Sequence, residues 1–173
     1  MKRIGLLSDT HSHLEENIFK HFEECDEVWH AGDIGDIVVS DTLESFKPFR
    51  AVYGNIDHGV VKHTYPLDAR FNCEGLDVYM THIGGYPGRY NNRVTEIFET
   101  NPPKLFICGH SHILKVMNDK RYGFLHINPG ACGNHGFHAV KTITRFSVDK
   151  GKIFDLEAIE LGKRGAIKNR GTV

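Results

Sequence analysis

The strongest constraint on the fold is a set of short apolar runs that each end in polar residues. The most informative stretch is 28–36, Val-Trp-His-Ala-Gly-Asp-Ile-Gly-Asp, in which a run typical of a buried parallel strand breaks into a loop. Glycines at 32 and 35 allow backbone conformations that other residues avoid, and they allow a ligand to approach closely. The loop presents Asp33 and Asp36. A single loop of this kind is most simply a turn or a helix cap.

The same pattern occurs at four other places in the chain. The apolar runs 4–7, 51–53, 78–80 and 105–108 are followed by Asp9 and His11, by Asn55, by His82, and by His110 and His112. In open α/β sheets, ligands bind outside the carboxyl ends of the strands. Each element taken alone could be a turn, a solvated loop or a core histidine. Their agreement in order, position and residue type predicts one shared site.

The order of the predicted elements indicates an α/β sandwich with helices on its outer faces. Up to residue 53, strands at 3–8, 27–30 and 49–53 alternate with helices, which predicts right-handed crossovers and a parallel core. The first helix would follow a capping box at Ser12 and Glu15, and the second would span 37–46. A third helix is predicted at 89–100. Further strands are predicted at 60–61, 69–73, 78–81, 104–108, 114–118, 124–128, 140–148 and 153–159, with a hairpin turn at 149–151. We expect an early, mostly parallel sheet and a late, mostly antiparallel one.

Length and composition limit the other classes of function. The 173 residues fit one domain, predicted to span 1–162, with a basic tail at 163–173 that we expect to fray. A net charge of -1 gives no clear nucleic-acid surface. Four widely spaced cysteines form no Cys-x-x-Cys pair, which argues against a zinc ribbon or redox motif. With neither a signal peptide nor a membrane span in the sequence, we expect a cytoplasmic protein with reduced thiols.

The ligand types at the predicted site favour two metal ions. Mixed Asp, His and Asn side chains suit manganese, iron, nickel or zinc. Seven candidate ligands are too many for one tetrahedral ion. Two ions that share a carboxylate, about 3.5–4 Å apart, would use them well, and such pairs clamp both oxygens of an in-line phosphoryl displacement.

Five sequence blocks carry a family resemblance. Asp9-x-His11, Gly32-Asp33-x-x-Asp36, Gly54-Asn55, Thr81-His82 and Gly109-His110-Ser111-His112 resemble the signature of calcineurin-like metallophosphoesterases. The short length and Asn128-Pro129-Gly130 resemble the small bacterial and archaeal phosphodiesterase branch. The resemblance implies a four-layered α/β/β/α sandwich of two mixed β-sheets.

The resemblance also implies roles for individual residues. Two divalent ions, with manganese preferred, are expected to hold a hydroxide between them that attacks phosphorus. The implied ligands of the first ion are Asp9, His11, Asp33 and His112, and those of the second are Asp33, Asn55, His82 and His110. Asp33 would bridge the two ions, and Asp36 would orient a ligand or a neighbouring group.

One position departs from the family pattern. Many members have a histidine after Gly-Asn that protonates the leaving oxygen, whereas this chain has Ile56. His58 lies two residues further on and is the first candidate to replace it, and Asp57 is counted with it among the candidate catalytic residues. His13 and His135 are further candidates for the acid. Arg89, in the loop after His82, is a candidate contact for the substrate phosphate.

The sequence therefore predicts a metal-dependent phosphodiesterase that acts on small phosphodiesters. Two alternatives stay open at this stage. One is a protein-binding scaffold of the same fold, such as a retromer subunit, and the other is a phosphomonoesterase or pyrophosphatase that uses the same metals. All seven ligand positions hold competent residues, which favours catalysis over a scaffold. Self-association into a homo-oligomer is also left open.

Overall fold

The computed structural model describes residues 1–165, which contain twelve strands and four helices. The strands are β1 (Lys2–Leu7), β2 (Glu27–His30), β3 (Phe49–Ala51), β4 (Asp68–Cys73), β5 (Leu76–Thr81), β6 (Gly85–Tyr86), β7 (Arg89–Tyr90), β8 (Leu105–Ile107), β9 (Leu114–Asp119), β10 (Phe124–Pro129), β11 (Val140–Asp149) and β12 (Lys152–Lys163). The helices are α1 (Asn17–His21), α2 (Ile37–Phe46), α3 (Gly59–Thr64) and α4 (Asn92–Thr100). Across these described residues, every helix is too short or too polar to cross a lipid bilayer.

Two five-stranded mixed sheets form the centre of the fold. The first has the order β12-β11-β1-β2-β3, with β1, β2 and β3 parallel and β11 and β12 antiparallel. The second has the order β4-β5-β8-β10-β9, with β5, β8 and β10 parallel and an antiparallel strand at each edge. The hairpin β6-β7 is separate. Parallel strands that are neighbours in a sheet end at the same edge, so the loops that carry the predicted ligands lie side by side.

Three apolar clusters fix the layers. The first lies between the sheets, where Ile4 and Trp29 of one sheet pack with Met80 and Ile107 of the other. The second packs α1, α2 and α3 on the outer face of the first sheet. The third packs α4 on the outer face of the second sheet, through Phe98 and Phe106. The four-layered α/β/β/α sandwich of two mixed β-sheets is therefore confirmed.

The predicted division into an early and a late sheet is wrong. Strands β11 and β12 return to the first sheet, where β11 pairs antiparallel with β1 from Lys2 opposite Val148 to Leu6 opposite Thr144. The apolar face of β11 supplies Phe146 and Val148 to the cluster between the sheets. This long-range packing and the pairing with β1 place β11 in the first sheet.

Three local predictions also need correction. Residues 60–61 lie in helix α3 rather than a strand, because only Val61 docks on the first sheet while Val60 is 63% exposed. Helix α4 begins at Asn92 rather than 89, since the Asn91 side chain accepts a hydrogen bond from the Val94 amide at 3.0 Å. Residues 89–90 belong to β7.

The predicted capping box is absent. Helix α1 begins at Asn17 without a side-chain cap. The Ser12 hydroxyl instead accepts a hydrogen bond from the Asp36 amide at 2.9 Å, and Glu15 pairs with Lys141. Both side chains therefore bind residues far away in the sequence and do not cap the first helix.

The end of the described chain lies slightly beyond the predicted domain boundary at residue 162. Strand β12 extends to Lys163, and the Arg164 amide donates to the Ala139 carbonyl at 3.0 Å. The remainder of the predicted tail, residues 166–173, lies outside the described residues.

The four cysteines are free and buried. Burial raises the pKa of Cys25 to about 11 and that of Cys108 to about 12, so both thiols are protonated at neutral pH. The cysteines therefore act as small apolar core residues.

Candidate metal centre

The loops that follow β1 and β2 run side by side and place two carboxylates together. The Asp9 amide donates to the Gly32 carbonyl, and the His11 amide donates to the Asp33 carbonyl, both at 3.0 Å. The Asp9 and Asp33 side chains are buried, at 0% and 2% exposure. Two buried carboxylates in adjacent loops repel each other and are costly to desolvate, so they call for a cationic partner.

The potential ligand atoms form two groups that share Asp33. In each group the atoms lie within 4.8 Å of one another, and the members are Asp9, His11, Asp33 and His112 in the first and Asp33, His82 and His110 in the second. In the first group, His112 Nε2 lies 3.2 Å from Asp9 Oδ1, and His11 Nε2 lies 3.4 Å from Asp33 Oδ2. In the second, His82 Nε2 lies 3.2 Å from Asp33 Oδ1.

Asn55 completes the set of seven predicted ligands. It is exposed and lines a cleft of about 260 Å³ together with Asp33 and His110. It also lines a neighbouring cavity together with His82. The structure thus brings all seven residues to one edge of the sandwich; six of them form the two groups above, and Asn55 lies beside them.

The hydrogen-bonding state of His82 tests whether the site fits a metal. Its Nδ1 lies 2.7 Å from the Ala31 carbonyl, which can only accept, so Nδ1 carries a proton and Nε2 is the nitrogen left for a metal once it is deprotonated. Nε2 lies 3.2 Å from Asp33 Oδ1. Among the described residues, the buried atoms His82 Nε2, His11 Nε2 and Asp9 Oδ1 have no hydrogen-bond partner. These buried polar atoms belong to the two groups described above, and without a partner in the described part of the chain they fit divalent cations.

The pKa values of the shared carboxylate and its histidine partner move in opposite directions. Burial acts to raise the pKa of Asp33, but the nearby ring and charge of His82 and the amide of Ile56 outweigh it, so this pKa is lowered. Burial acts to lower the pKa of His82, but the nearby carboxylate of Asp33 and the charge of Asp9 outweigh it, so this pKa is raised. Burial lowers the pKa of His11 and His110. Metal binding at His82 would therefore displace a proton.

Backbone conformation at the site is unusual. Five of the predicted ligands have positive φ, at 55° for Asp9, 45° for His11, 55° for Asp33, 69° for His110 and 59° for His112. Asp and His tolerate the left-handed region better than most residues, but they remain uncommon there. The tight loops also require glycine at 54, where a Cβ would lie 2.1 Å from Asp33 Oδ1.

Asp57 has a positioning role rather than a place in the cleft. Its buried carboxylate accepts hydrogen bonds from the amides of Ile34 at 3.1 Å, Gly35 at 2.7 Å and Gly54 at 2.7 Å. These bonds tie the loop of Asp33 to the loop of Asn55. Asp57 lines neither cavity at the site, so its predicted catalytic role is replaced by a structural one.

Asn128 has a similar role that was not assigned from the sequence. Its buried amide nitrogen donates to the Gly109 carbonyl at 2.8 Å and to the Ser111 hydroxyl at 3.0 Å. The loop that carries His110 and His112 is thereby fixed to the end of β10. The Asn-Pro-Gly motif was the available signal, although it did not indicate which loop the side chain would hold.

Two predicted catalytic residues lie away from the cleft. Asp36 is exposed, and its Oδ1 accepts from the Val38 amide at 3.0 Å, so it caps α2 and does not orient a ligand. His58 is exposed at the start of α3, with Nδ1 2.9 Å from the Ile56 carbonyl, and it does not line the cleft. Asp36 is therefore a helix cap, and His58 is an exposed residue at a helix start.

Of the other predicted substrate contacts and proton donors, some line a cavity at the site and some do not. Arg89 is exposed in β7 and lines neither cavity at the site, whereas Arg93, which the sequence did not single out, lines the cavity beside His82. His13 lies 3.5 Å from Glu15 and is absent from the cleft wall. His135 does line the cleft, with its ring centroid 4.8 Å from that of His11.

Two mixed sheets in four layers, with paired groups of Asp and His at one edge, define the class of metal-dependent phosphoesterases. Residues 1–151 match the calcineurin-like phosphoesterase superfamily domain. The chain belongs to that superfamily, whose members bind divalent metals and hydrolyse phosphoesters. A probable metallophosphoesterase of Methanothermobacter thermautotrophicus is 27% identical over 135 residues, which cover 74% of this chain and 76% of that protein.

Solved structures agree with the fold. An archaeal phosphodiesterase superposes with a TM-score of 0.71 at 23% identity, covering 92% of this chain and 99% of the other. Vps29 of Entamoeba histolytica, complexed with zinc, gives a TM-score of 0.69 at 13% identity, with 91% and 98% covered. At these identities the similarity establishes the fold alone. The family resemblance seen in the sequence is confirmed by the match of residues 1–151 to the superfamily domain.

Proposed function

We propose that this protein is a phosphodiesterase that hydrolyses small phosphodiesters with the help of two divalent metal ions. The observation that carries the proposal is the sharing of Asp33 between two groups of ligand atoms. A carboxylate with one oxygen facing His82 and the other facing His11 is placed to serve both ions. The archaeal phosphodiesterase of the same fold supports the choice of diesters.

The proposed ligands keep the division given above. The first ion would be held by Asp9, His11, Asp33 and His112, and the second by Asp33, Asn55, His82 and His110. Oxygen and imidazole donors suit manganese, our preferred ion, and also iron, nickel or zinc. Bound ions of this kind supply a nucleophile at neutral pH and offset the charge that develops on the phosphoryl group.

The chain's own residues provide orientation. The Ala31 carbonyl fixes the ring of His82. Asp57 ties the loops of Asp33 and Asn55 together, and Asn128 fixes the loop of His110 and His112 to the end of β10. Ile56 lines the cleft with an apolar side chain. No proton donor therefore stands at that position, and departure of the leaving group depends on its own acidity.

A panel of three substrates tests the proposal. The metal-free protein should be reconstituted with Mn²⁺ and given bis(p-nitrophenyl) phosphate, p-nitrophenyl phosphate and pyrophosphate. We expect metal-dependent hydrolysis of the diester above the other two, and its loss in Asp33→Asn. Preferential hydrolysis of either other compound would replace the diesterase with a monoesterase or pyrophosphatase. Two bound ions with no turnover of any compound would favour the scaffold function.

A further inference from the structure

A second cavity of about 350 Å³ opens directly beside the metal centre and shares two proposed ligands, Asn55 and His82, with it. We call it the side pocket, and its distinctive walls are Tyr53, Leu67, Ile83 and Arg93. The cleft described above is lined by five proposed ligands, His11, Asp33, Asn55, His110 and His112, together with Ile56 and the fully exposed Phe137, and it meets the side pocket at Asn55. The proposed metal centre therefore lies in the cleft and borders the side pocket at Asn55 and His82.

The side pocket is mainly apolar. Leu67 and Ile83 are 43% and 40% exposed and line the same cavity as the buried His82. Cavities of roughly 300–1,000 Å³ with apolar and aromatic walls and a few polar groups are typical of small-molecule sites. A ligand that covered Leu67 and Ile83 would remove apolar surface from water, which favours binding.

The only Arg or Lys among the described residues that line the pocket is not free for a second anion. The Arg93 guanidinium is paired with Asp68 and also donates to the Thr81 hydroxyl at 3.0 Å and the Tyr79 hydroxyl at 3.4 Å. Its charge is thus offset and its geometry is fixed. The pocket is therefore suited to an uncharged group and poorly suited to a second phosphate.

The rim of the pocket is also fixed in place. Asn91 donates from its amide nitrogen to the Ile83 carbonyl at 2.7 Å, while its amide oxygen caps α4. Ile83 is therefore held against a helix end rather than carried on a free loop. A preformed rim lowers the entropy lost when a ligand binds.

We propose, building on the proposed function, that the side pocket binds the second organic group of the diester, an uncharged aromatic ring such as a phenyl group or a nucleobase. A diester has two organic groups on one phosphate, so a phosphate held in the cleft beside Asn55 can direct one group into the side pocket while the leaving group stays in the cleft near Ile56. A monoester has no second organic group to fill the side pocket, and pyrophosphate offers a charged group in its place. The side pocket would thus select aryl or nucleoside diesters.

Kinetics with two substrates that share a leaving group test the proposal. Bis(p-nitrophenyl) phosphate and methyl p-nitrophenyl phosphate both release p-nitrophenolate but differ in the group that remains. In Leu67→Ala and Ile83→Ala we expect KM for the diaryl ester to rise roughly 5- to 10-fold, with KM for the methyl ester unchanged. Leu114→Ala is the matched control, since this leucine is 36% exposed but lines neither cavity at the site.

Methyl NMR of the zinc-loaded protein tests binding independently of the kinetic measurements. Diphenyl phosphate should shift the methyl signals of Leu67 and Ile83, and dimethyl phosphate should not. Equal shifts with both compounds, no shift with either, or equal changes of KM for both esters would overturn the proposal. If no ester is hydrolysed but diphenyl phosphate still shifts these methyls selectively, the side pocket stands and the proposed activity fails. If the diesters are hydrolysed but the methyl shifts are not selective, the proposed activity stands and the side-pocket proposal fails.

Discussion

Replacement of His126 by leucine should reduce the protein's sensitivity to acid. His126 lies in β10, is 0% exposed and packs beside Tyr90 and Phe106, with ring centroids 6.1 and 5.5 Å away. Neither ring nitrogen has a hydrogen-bond partner among the described residues. Burial lowers its pKa to about 4; the charge of Lys115 acts in the same direction, and that of Asp119 opposes it.

The direction and size of the effect follow from this pKa. Between pH 6.5 and about 4, the unfolded chain binds a proton at residue 126 that the folded protein does not, so stability falls as pH falls. The full loss is about 3 kcal/mol, and at pH 5 it is about 2 kcal/mol. Against a typical total of roughly 5–15 kcal/mol, such a loss is easy to measure. His126→Leu should also gain about 1–3 kcal/mol at neutral pH, since it removes two unpaired buried nitrogens.

Urea unfolding of the metal-free protein at pH 7.5 and pH 5 measures both effects. Other histidines titrate in wild type and variant alike, so the difference between their pH dependences isolates His126. His63→Leu is the control, since His63 is exposed on α3 and its loss should leave the pH dependence nearly as it is. If wild type and His126→Leu lose the same stability between the two pH values, the assignment of the buried neutral histidine is refuted.

Three further predictions concern the metal centre. Asp33→Asn should lose at least one of two bound ions by elemental analysis, because the charge they would share is removed; retention of both ions with full turnover would contradict a bridging role. Asp57→Ala removes the acceptor of three amides and should cost about 2–4 kcal/mol in unfolding experiments and weaken metal binding, whereas the cap variant Asp36→Ala should cost about 1 kcal/mol and leave metal affinity unchanged. Wild type should hydrolyse aryl diesters far faster than alkyl diesters, and Ile56→His should narrow this gap in rate, because general-acid catalysis is worth ~10²–10⁴ in rate. If the rate of wild type does not depend on the pKa of the leaving group but that of His58→Ala does, His58 supplies the proton.

The proposed ligand residues could be singled out from the sequence because their positions follow from strand order. Each lies just after a short apolar run, and parallel strands deliver such residues to one edge whatever the details of packing. The four layers follow from the same alternation of strands and helices. The assignment of β11 and β12 to a sheet depended on pairing across more than 100 residues, which no local pattern carries.

The supporting residues could not be ranked from local sequence. Asp36 and Asp57 are both carboxylates in glycine-containing turns, and only the approach of two loops shows that Asp57 holds Gly35 while Asp36 caps its own helix. Arg89 and Arg93 are separated by four residues, yet a hairpin directs the first to solvent and helix α4 directs the second to the side pocket. These distinctions arise from tertiary contacts.

The left-handed backbone of five proposed ligands has an evolutionary consequence. Each non-glycine residue held in that region costs on the order of 1 kcal/mol, and glycine at the same place would relieve the cost. A descendant of this chain that no longer needed metal would therefore become more stable by exchanging its ligands for glycine. Selection for stability and selection for catalysis act in opposite directions at the same few residues. An intact ligand set in this conformation is expected to persist only while the metal is in use.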